Sequence, residues 1–533
     1  MAHFPVEGEN MEYVLSAEEM KACDSRTIEL HRMSQLVLME RAAFELASEV
    51  CRKGNKSAKI LVLAGCGNNG GDGLAAGRIL WQAGYDVTWY LAGEKEKCSA
   101  ACRRQMEILD SYGLTINTDS EETDILTENE YDIIIDALFG VGLSRNISDR
   151  LAEIVAIVNL KNAYVIACDI PSGICADTGK VMGCAIRANL TVTFAWKKRG
   201  LLLYPGAEFA GKIHCVQMGI TEQSFEEGKV PETFTYGKED LCRLPERKPD
   251  GNKGSFGKIL LLAGSTDMAG AAYFCGKSCY RIGAGMVRVY TPKENRTILQ
   301  TLLPEAVLHT YRGTETKEEG EMLQSAERER LMEDIRWADC IVAGPGIGTD
   351  ETAKELISVL LNCEDFCGKA CVLDADALNL IAGNIAFQQL LKEKAGENRL
   401  ILTPHLAEFS RLTGKQVIIL KEDIIKYTKE FAEKYRVTLV CKDACTVVAK
   451  KGKAIYLNSS GNDALATAGT GDVLSGMIGG LAAYGMDDFE AACLGVYIHG
   501  LAGEEAAARD NRYSVMAGEL PDVLCRVLHT ENG

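Results

Sequence analysis

Lys59-Ile-Leu-Val-Leu-Ala-Gly-Cys-Gly-Asn-Asn-Gly-Gly-Asp-Gly73 is the stretch on which the fold turns. Its first six residues are a short apolar run, the pattern of a strand buried on both faces. The glycine string that follows marks a turn, and the spacing predicts a helix from Gly73 to Gly84. A strand that enters a helix through glycines leaves free backbone N–H groups at the helix N-terminus, an anion site suited to a pyrophosphate. The spacing is neither the dinucleotide GxGxxG nor a Walker loop, since no Gly-Lys-Ser/Thr follows. A tight turn with Asp72 capping the helix is the plainer alternative. Four glycines with Asn68 and Asn69 exceed what a turn needs, so a polar ligand pocket is expected.

Outward from this string, strands and helices alternate. Ser16 and Glu19 have capping-box spacing, and Leu36, Met39, Ala43 and Leu46 recur at helical intervals in a long opening helix. Val87–Leu91, Ile133–Ala137 and Tyr164–Cys168 read as further strands. The stretch 221–254 is rich in Glu, Lys, Pro and Gly, with Pro231, Pro245 and Pro249, and reads as a linker. A second strand–helix series begins at Lys258-Ile-Leu-Leu-Leu-Ala263. It continues through Met286–Tyr290, Cys340–Ala343, Ala370–Leu373, Leu400–Leu402 and Val437–Cys441, and closes with helices over Gly476–Tyr484 and Ala491–Arg509. The expected architecture is α/β: an N-terminal domain over 1–220, a linker over 221–254 and a C-terminal domain over 255–533, each a helix-covered parallel sheet.

The 533 residues suit two or three domains. A net charge of −17 argues against a general affinity for nucleic acid. The 20 cysteines form no paired framework, and Cys98 and Cys102 at i, i+4 lack the second pair a zinc site needs. Met1–Asn10 has no apolar segment of a signal peptide, and no apolar run nears the roughly 20 residues needed to span a bilayer. A reducing, cytoplasmic setting is therefore expected.

Two more strand ends converge on the first glycine string. Asp136 closes one strand before Phe139-Gly-Val-Gly-Leu143, and Asp169 closes another before Ile170-Pro-Ser-Gly173. Ligands of open α/β sheets bind at such carboxyl ends. With Met39-Glu-Arg-Ala-Ala43, these motifs resemble those of the NAD(P)H-hydrate epimerases over about Leu15–Gly219. The resemblance implies that Asn68, Asn69, Gly70, Gly71 and Asp72 hold the hydrated nicotinamide nucleotide. It assigns the same role to Gly140, Val141, Gly142, Leu143, Ser144, Arg145 and Asn146. It also implies a potassium ion held by Asn69, Asp136 and Ser172, whose oxygens suit a hard cation. Asp169 would touch the substrate and is the candidate catalytic acid/base.

A second glycine string ends Asn458-Ser-Ser-Gly-Asn-Asp-Ala-Leu-Ala-Thr-Ala-Gly-Thr-Gly-Asp472 and opens a helix. Amides at that helix start can steady a moving phosphoryl group while Asp472 receives a hydroxyl proton. Alone, Asp472 could equally be a favourable charge at a helix N-terminus. The companions are Asp267-Met-Ala-Gly-Ala-Ala272, Gly344-Pro-Gly-Ile-Gly348, Asp374-Ala-Asp376, Thr403-Pro-His405 and Lys442-Asp-Ala-Cys-Thr446. Together these segments resemble the NAD(P)H-hydrate dehydratases, a ribokinase-like branch, over about Phe256–Leu528. The resemblance implies a nucleotide site at Lys442, Asp443, Ala444, Cys445, Thr446 and Gly471. Ala271, Gly348, His405 and catalytic Asp472 would contact the hydrate. Leu406-Ala-Glu408 and Asp463-Ala-Leu465 depart from that family's usual loops and leave the phosphate loop intact.

The two resemblances imply one repair function. An epimerase domain interconverts the C6 epimers of hydrated NADH and NADPH. An N-terminal Rossmann-like sandwich would carry it. A ribokinase-like sandwich would dehydrate one epimer with ADP as co-substrate, accompanied by magnesium, releasing AMP and phosphate. Small molecules (NADHX, NADPHX, ADP) are the expected partners, with no membrane or nucleic acid, in a homo-oligomer. A vitamin or sugar kinase would instead accumulate a phosphorylated product, and a sensor module would bind hydrate without turnover.

Overall fold

Apolar runs bounded by glycine turns build two sheets. The computed structural model describes residues 12–118, 124–226, 229–312 and 323–529; the polar stretch Met1–Asn10 lies outside the described residues. The chain separates into two units, Glu12–Phe234 and Thr235 onward, within the charged, proline-punctuated stretch.

The first unit contains β1 (Glu12–Leu15), β2 (Lys59–Ala64), β3 (Asp86–Leu91), β4 (Ile116–Thr118), β5 (Ile133–Ala137), β6 (Tyr164–Cys168), β7 (Leu190–Phe194), β8 (Lys197–Lys198) and β9 (Lys212–Val216). Seven of them form a sheet in the order β4-β3-β2-β5-β6-β7-β9, parallel throughout. The chain moves outward from β2 in one direction to β4, then returns to β5 and proceeds the other way. The switch point between β2 and β5 opens a crevice at their carboxyl ends. Beside this sheet β1 and β8 pair with each other, Val14 opposite Lys197 and Leu15 opposite Lys198.

The helix after β2 spans Asn68–Gln82. It therefore starts five residues before the expected Gly73, and Asn68–Asp72 is helical rather than loop. Its N-cap is Gly67, with no side-chain cap, so Asp72 is not the cap. The physical reason is packing. A Cβ on Gly65 would stand 1.9 Å from the Leu138 carbonyl oxygen, one on Gly70 1.8 Å from that of Gly65, and one on Gly73 2.5 Å from Ala137 Cβ. These glycines let the helix start lie on the strand ends, which outweighs their weak helix propensity. The single opening helix expected from periodicity is two, Ala17–Leu30 and Gln35–Lys53. The first carries the complete Ser16/Glu19 capping box. Met39, Ala43 and Leu46 are buried on the second, while Leu36 is exposed.

After β10 (Thr233–Thr235) at the division, the second unit contains β11 (Lys258–Leu262), β12 (Met286–Pro292), β13 (Val307–Tyr311), β14 (Cys340–Ala343), β15 (Ala370–Leu373), β16 (Arg399–Leu402), β17 (Thr438–Cys441), β18 (Val447–Ala449) and β19 (Ile455–Leu457). The order β13-β12-β11-β14-β15-β16-β17-β18-β19 is parallel as far as β17. Antiparallel β18 and β19 then complete the edge. The closing helices, Thr470–Ala483 and Asp488–Arg509, begin earlier than expected from sequence.

Gly65→Ala is expected to destabilise the first unit by about 1–3 kcal/mol, since the added carbon meets backbone that cannot yield. Gly142→Ala, with open space around its Cβ position, should fall within roughly 0.5 kcal/mol of the parent. Urea unfolding of the two variants checks the contrast.

Candidate functional sites

In the first unit, a cavity of about 500 Å³ occupies the switch-point crevice. Of the residues expected there, Asn68, Asn69, Asp72, Gly140, Val141, Gly142, Leu143 and Asp169 line it. Gly70 and Gly71 are buried beneath it, and Ser144, Arg145 and Asn146 are exposed on the continuing loop. Asp169 follows β6 in the left-handed region, φ 70°, a conformation that costs an aspartate about 1–3 kcal/mol and points to a positional demand. Its carboxylate accepts from the ammonium of fully buried Lys198, from Thr193 Oγ1 at 3.2 Å and from the Phe194 N–H at 3.2 Å.

Sequence reasoning passed over Lys198 and Asp24, both of which line the cavity. The long-range β1–β8 pairing brings Lys198 in, and no local motif announces that pairing. Burial pushes the Asp24 carboxyl up to about 6, reinforced by Asp169 and partly offset by Lys198. Burial also holds the Asp72 carboxyl well above the carboxylate range, with Asp169 and Asp24 adding to it.

Asp136 and Ser172 are fully buried and bonded to each other. The Ser172 hydroxyl donates to Asp136 Oδ1 at 2.5 Å and its N–H to Oδ2 at 2.8 Å. Burial nonetheless raises Asp136 to about 6.

In the second unit, Asp472 is the third residue of the helix Thr470–Ala483, whose N-cap, Gly469, has φ 93° and offers no side chain. The helix start lies against Lys442: a Cβ on Gly471 would stand 3.4 Å from Lys442 Nζ. That ammonium binds Asp374 Oδ1 at 2.8 Å, and Ser475 Oγ donates to Oδ2 at 2.6 Å. Burial opposes ionisation of Asp374, but Lys442 and these hydrogen bonds win and lower its pKa. Among the described residues Asp472 has no such partner. Burial first, then Asp374 and Asp376, push it up to about 7 against the pull of Lys442.

Asp376 accepts from the Gly348 N–H at 2.9 Å. This ties in the Gly344–Gly348 loop, whose three glycines all have positive φ. Ala271 packs beside Gly346. Lys442 is bridged to His405 on the neighbouring strand end. His405 Nδ1 caps its own helix, accepting from the Ala407 and Glu408 N–H groups, so its structural role is plain. Asp443 pairs with Lys421 at 3.4 Å, Ala444 is exposed, Thr446 half-buried, and the Cys445 thiol donates to the Asn458 carbonyl at 3.3 Å. His499, unanticipated from sequence, is buried. Its Nε2 lies 2.9 Å from the Thr470 carbonyl, and burial lowers its pKa to about 4. The neutral ring thus buttresses the helix start.

Residues 259–526 match the NAD(P)H-hydrate dehydratase family, and residues 35–200 match the family described as YjeF-related protein N-terminus. A bifunctional NAD(P)H-hydrate repair enzyme Nnr from Thermofilum pendens is 34% identical, the alignment covering 97% of this chain and 96% of that protein. The chain belongs to the bifunctional NAD(P)H-hydrate repair enzymes. The Escherichia coli enzyme of that name is 32% identical over 97% of this chain and 94% of its own length. Among solved structures, a ribokinase-like superfamily protein from Enterococcus faecalis aligns with 57% of this chain and 98% of its own, at 25% identity and a TM-score of 0.48. An ADP/ATP-dependent NAD(P)H-hydrate dehydratase from Bacillus subtilis, co-crystallised with ATP and Mg2+, aligns with 55% and 96%, at 31% identity and a TM-score of 0.44.

Asn69, Asp136 and Ser172 are the residues expected to hold potassium. Asn69 Nδ2 is buried without a hydrogen-bond partner, and an amide turned end for end presents an oxygen at that spot. With Asp136, Ser172 and the nearby Phe139 carbonyl, the donor set is all oxygen and fits a hard monovalent cation. Among the described residues no group of three or more His, Cys, Asp or Glu could hold a metal ion; magnesium, usually held by one or two carboxylates together with substrate phosphates, needs no such group.

Lys442→Met strands the Asp374 carboxylate in the interior. The expected cost is about 3–5 kcal/mol, and pairing it with Asp374→Leu should recover much of the loss. Denaturant unfolding of the second unit measures both.

Proposed function

We infer that this chain repairs hydrated NADH and NADPH. The epimerase pocket of the first unit interconverts the R and S hydrates at C6, and the second unit dehydrates the S hydrate with ADP. The observation that carries the reading is the half-buried Asp472 carboxyl, raised to about 7 and set in the first turn of an uncapped helix beside Lys442.

The chemistry follows from that placement. Hydroxide leaves a ring carbon poorly. Asp472 takes the proton of the C6 hydroxyl, and the oxygen attacks the β-phosphorus of ADP. The P–O bond to AMP breaks, and the N–H groups of Thr470 and Gly471, with Lys442, steady the charge on the moving phosphoryl group. The lone pair of ring N1 then expels phosphate from C6, and loss of a C5 proton restores NAD(P)H. Lys442, Asp443, Ala444, Cys445, Thr446 and Gly471 hold the nucleotide, while Ala271, Gly348, His405 and Asp472 face the hydrate.

In the first unit, Asn69, Asp136 and Ser172 would hold a potassium ion, which would supply positive charge toward an anionic substrate. Asn68–Asp72 and Gly140–Asn146 grip the nucleotide, and Asp169 works on the C6 hydroxyl. The division of labour corresponds to domains over 1–220 and 255–533. All 20 cysteines are free, which supports a cytoplasmic setting. No helix among the described residues is long and apolar enough to cross a membrane. The exposed Leu36, Val37 and Phe44 on the helix Gln35–Lys53 supply an apolar face for a homo-oligomer.

Incubation with mixed hydrate epimers should restore nicotinamide absorbance only when ADP is added, and should consume both epimers. Asp472→Asn should lower dehydration about a hundredfold or more and leave epimer exchange intact. The base must be ionised, so dehydration kcat/KM in the parent should fall as pH drops through about 7. No return of absorbance in the parent, with or without ADP, would sink the assignment.

A further inference from the structure

The epimerase pocket holds more carboxylates than its buried lysine can serve. Asp24, Asp72 and Asp169 line the one cavity with Lys198. An ammonium has three donors, and those of Lys198 are all taken, by Asp169, by Thr193 Oγ1 at 2.9 Å and by the Phe194 carbonyl at 3.0 Å. Among the described residues neither Asp24 nor Asp72 has a hydrogen bond or ion pair. Asp169 is thus the partnered carboxylate, held through Oδ1, and the other two stand bare in a half-buried crevice.

Asp24 is also rigidly presented. Its helix is capped by Ser16 and Glu19. The same Glu19 pairs with Arg199 at 3.1 Å, the residue next to Lys198, and the Ala17 N–H donates to Asp177 at 2.7 Å. The β1–β8 pairing places this helix and Lys198 together. An unpartnered side chain on so firmly anchored a segment is a mark of function, because a merely structural aspartate there would be an electrostatic cost without return.

Given the hydrate epimerisation inferred above, we propose that Asp24 is the second catalytic residue of the first unit, the acid that protonates ring nitrogen N1 while Asp169 accepts the proton of the C6 hydroxyl. As these protons move, the C6–N1 bond breaks and its electron pair goes to N1. The products are an aldehyde at C6 and a neutral enamine N–H. Rotation about C5–C6 turns the other aldehyde face toward N1. Reclosure reverses each transfer: Asp24 regains its proton from N1, Asp169 returns one to the new hydroxyl, and nothing is consumed.

The charges facing Asp24 suit this exchange. Lys21 lines the cavity from its own helix, Lys198 and Asp169 face it across the cavity, and Asp72 reaches in from the glycine helix. The balance leaves Asp24 titrating at about 6, where a carboxyl both gives and recovers a proton. Asp72, held much higher, releases its proton less readily.

The test follows exchange of pure R hydrate into S by the full-length protein without ADP, so that dehydration is silent, across roughly pH 4.5–9, from near the usual carboxylate range to well above it. In the parent, kcat/KM should fall as pH rises through about 6, because the acid must be protonated. Asp24→Asn should lower kcat about a hundredfold or more with KM within roughly threefold, and should lose that limb. Asp24→Glu should recover part of the rate and the limb with it. Parent-like kcat in Asp24→Asn, or a change confined to KM, overturns the proposal. If Asp24→Asn no longer binds hydrate, Asp24→Glu decides: a retained limb supports the acid, a flat profile removes it. A parent protein that exchanges no epimers fails the functional reading itself, whatever the variants do.

Discussion

In each unit a lysine ammonium is drawn out of water against an aspartate at the end of a strand, Lys198 on Asp169 after β6 and Lys442 on Asp374 after β15. Removing two charges from water costs several kcal/mol per ion, and only close pairing with further hydrogen bonds offsets it. Thr193 and the Phe194 backbone supply those bonds in the first unit, and Ser475 in the second. The rest of each site depends on this pairing. It uses up one carboxylate and its cation, so the aspartates that remain face burial with no neutralising partner.

That imbalance is what makes the remaining carboxyls chemically useful. Asp472 rises to about 7 and Asp24 to about 6, within the range where a side chain can exchange protons near neutrality. A lysine free to bind either would pull its proton affinity back down. A clamp that satisfies one acid and leaves another wanting therefore puts neighbouring carboxyls in different environments. The backbone carries part of the strain. Asp169 and Ala375, at or just after the two strand-end aspartates, both have positive φ, which only the surrounding sheet can enforce.

Glycine supplies the other half of the geometry. At Gly65 and Gly70 the backbones approach so closely that any side-chain carbon would overlap a carbonyl, and at Gly344 it would stand 1.8 Å from the Asp374 oxygen. These contacts set the helix starts on the carboxyl edges of the sheets, where open N–H groups can meet an anionic ligand. The glycine strings were conspicuous in the sequence, but their purpose was only half legible. They suggested loops, whereas Asn68–Asp72 is the opening of the helix itself.

The buried strands, the α/β class and the two glycine-marked sites could be read locally, because apolar runs and glycine turns act over a few residues. Asp136, Asp169, Asp374 and Asp472 stood out for the same reason: each sits where a run of one kind ends. Asp24, Lys198 and His499 could not be found that way. Asp24 lies on an otherwise ordinary amphipathic helix, Lys198 in a two-residue strand whose partner is over 180 residues away in sequence, and His499 inside a long helix. Their roles arise from burial and from charges brought together across the fold, and a side chain's proton affinity is set by those distant neighbours rather than by the residues beside it in the chain.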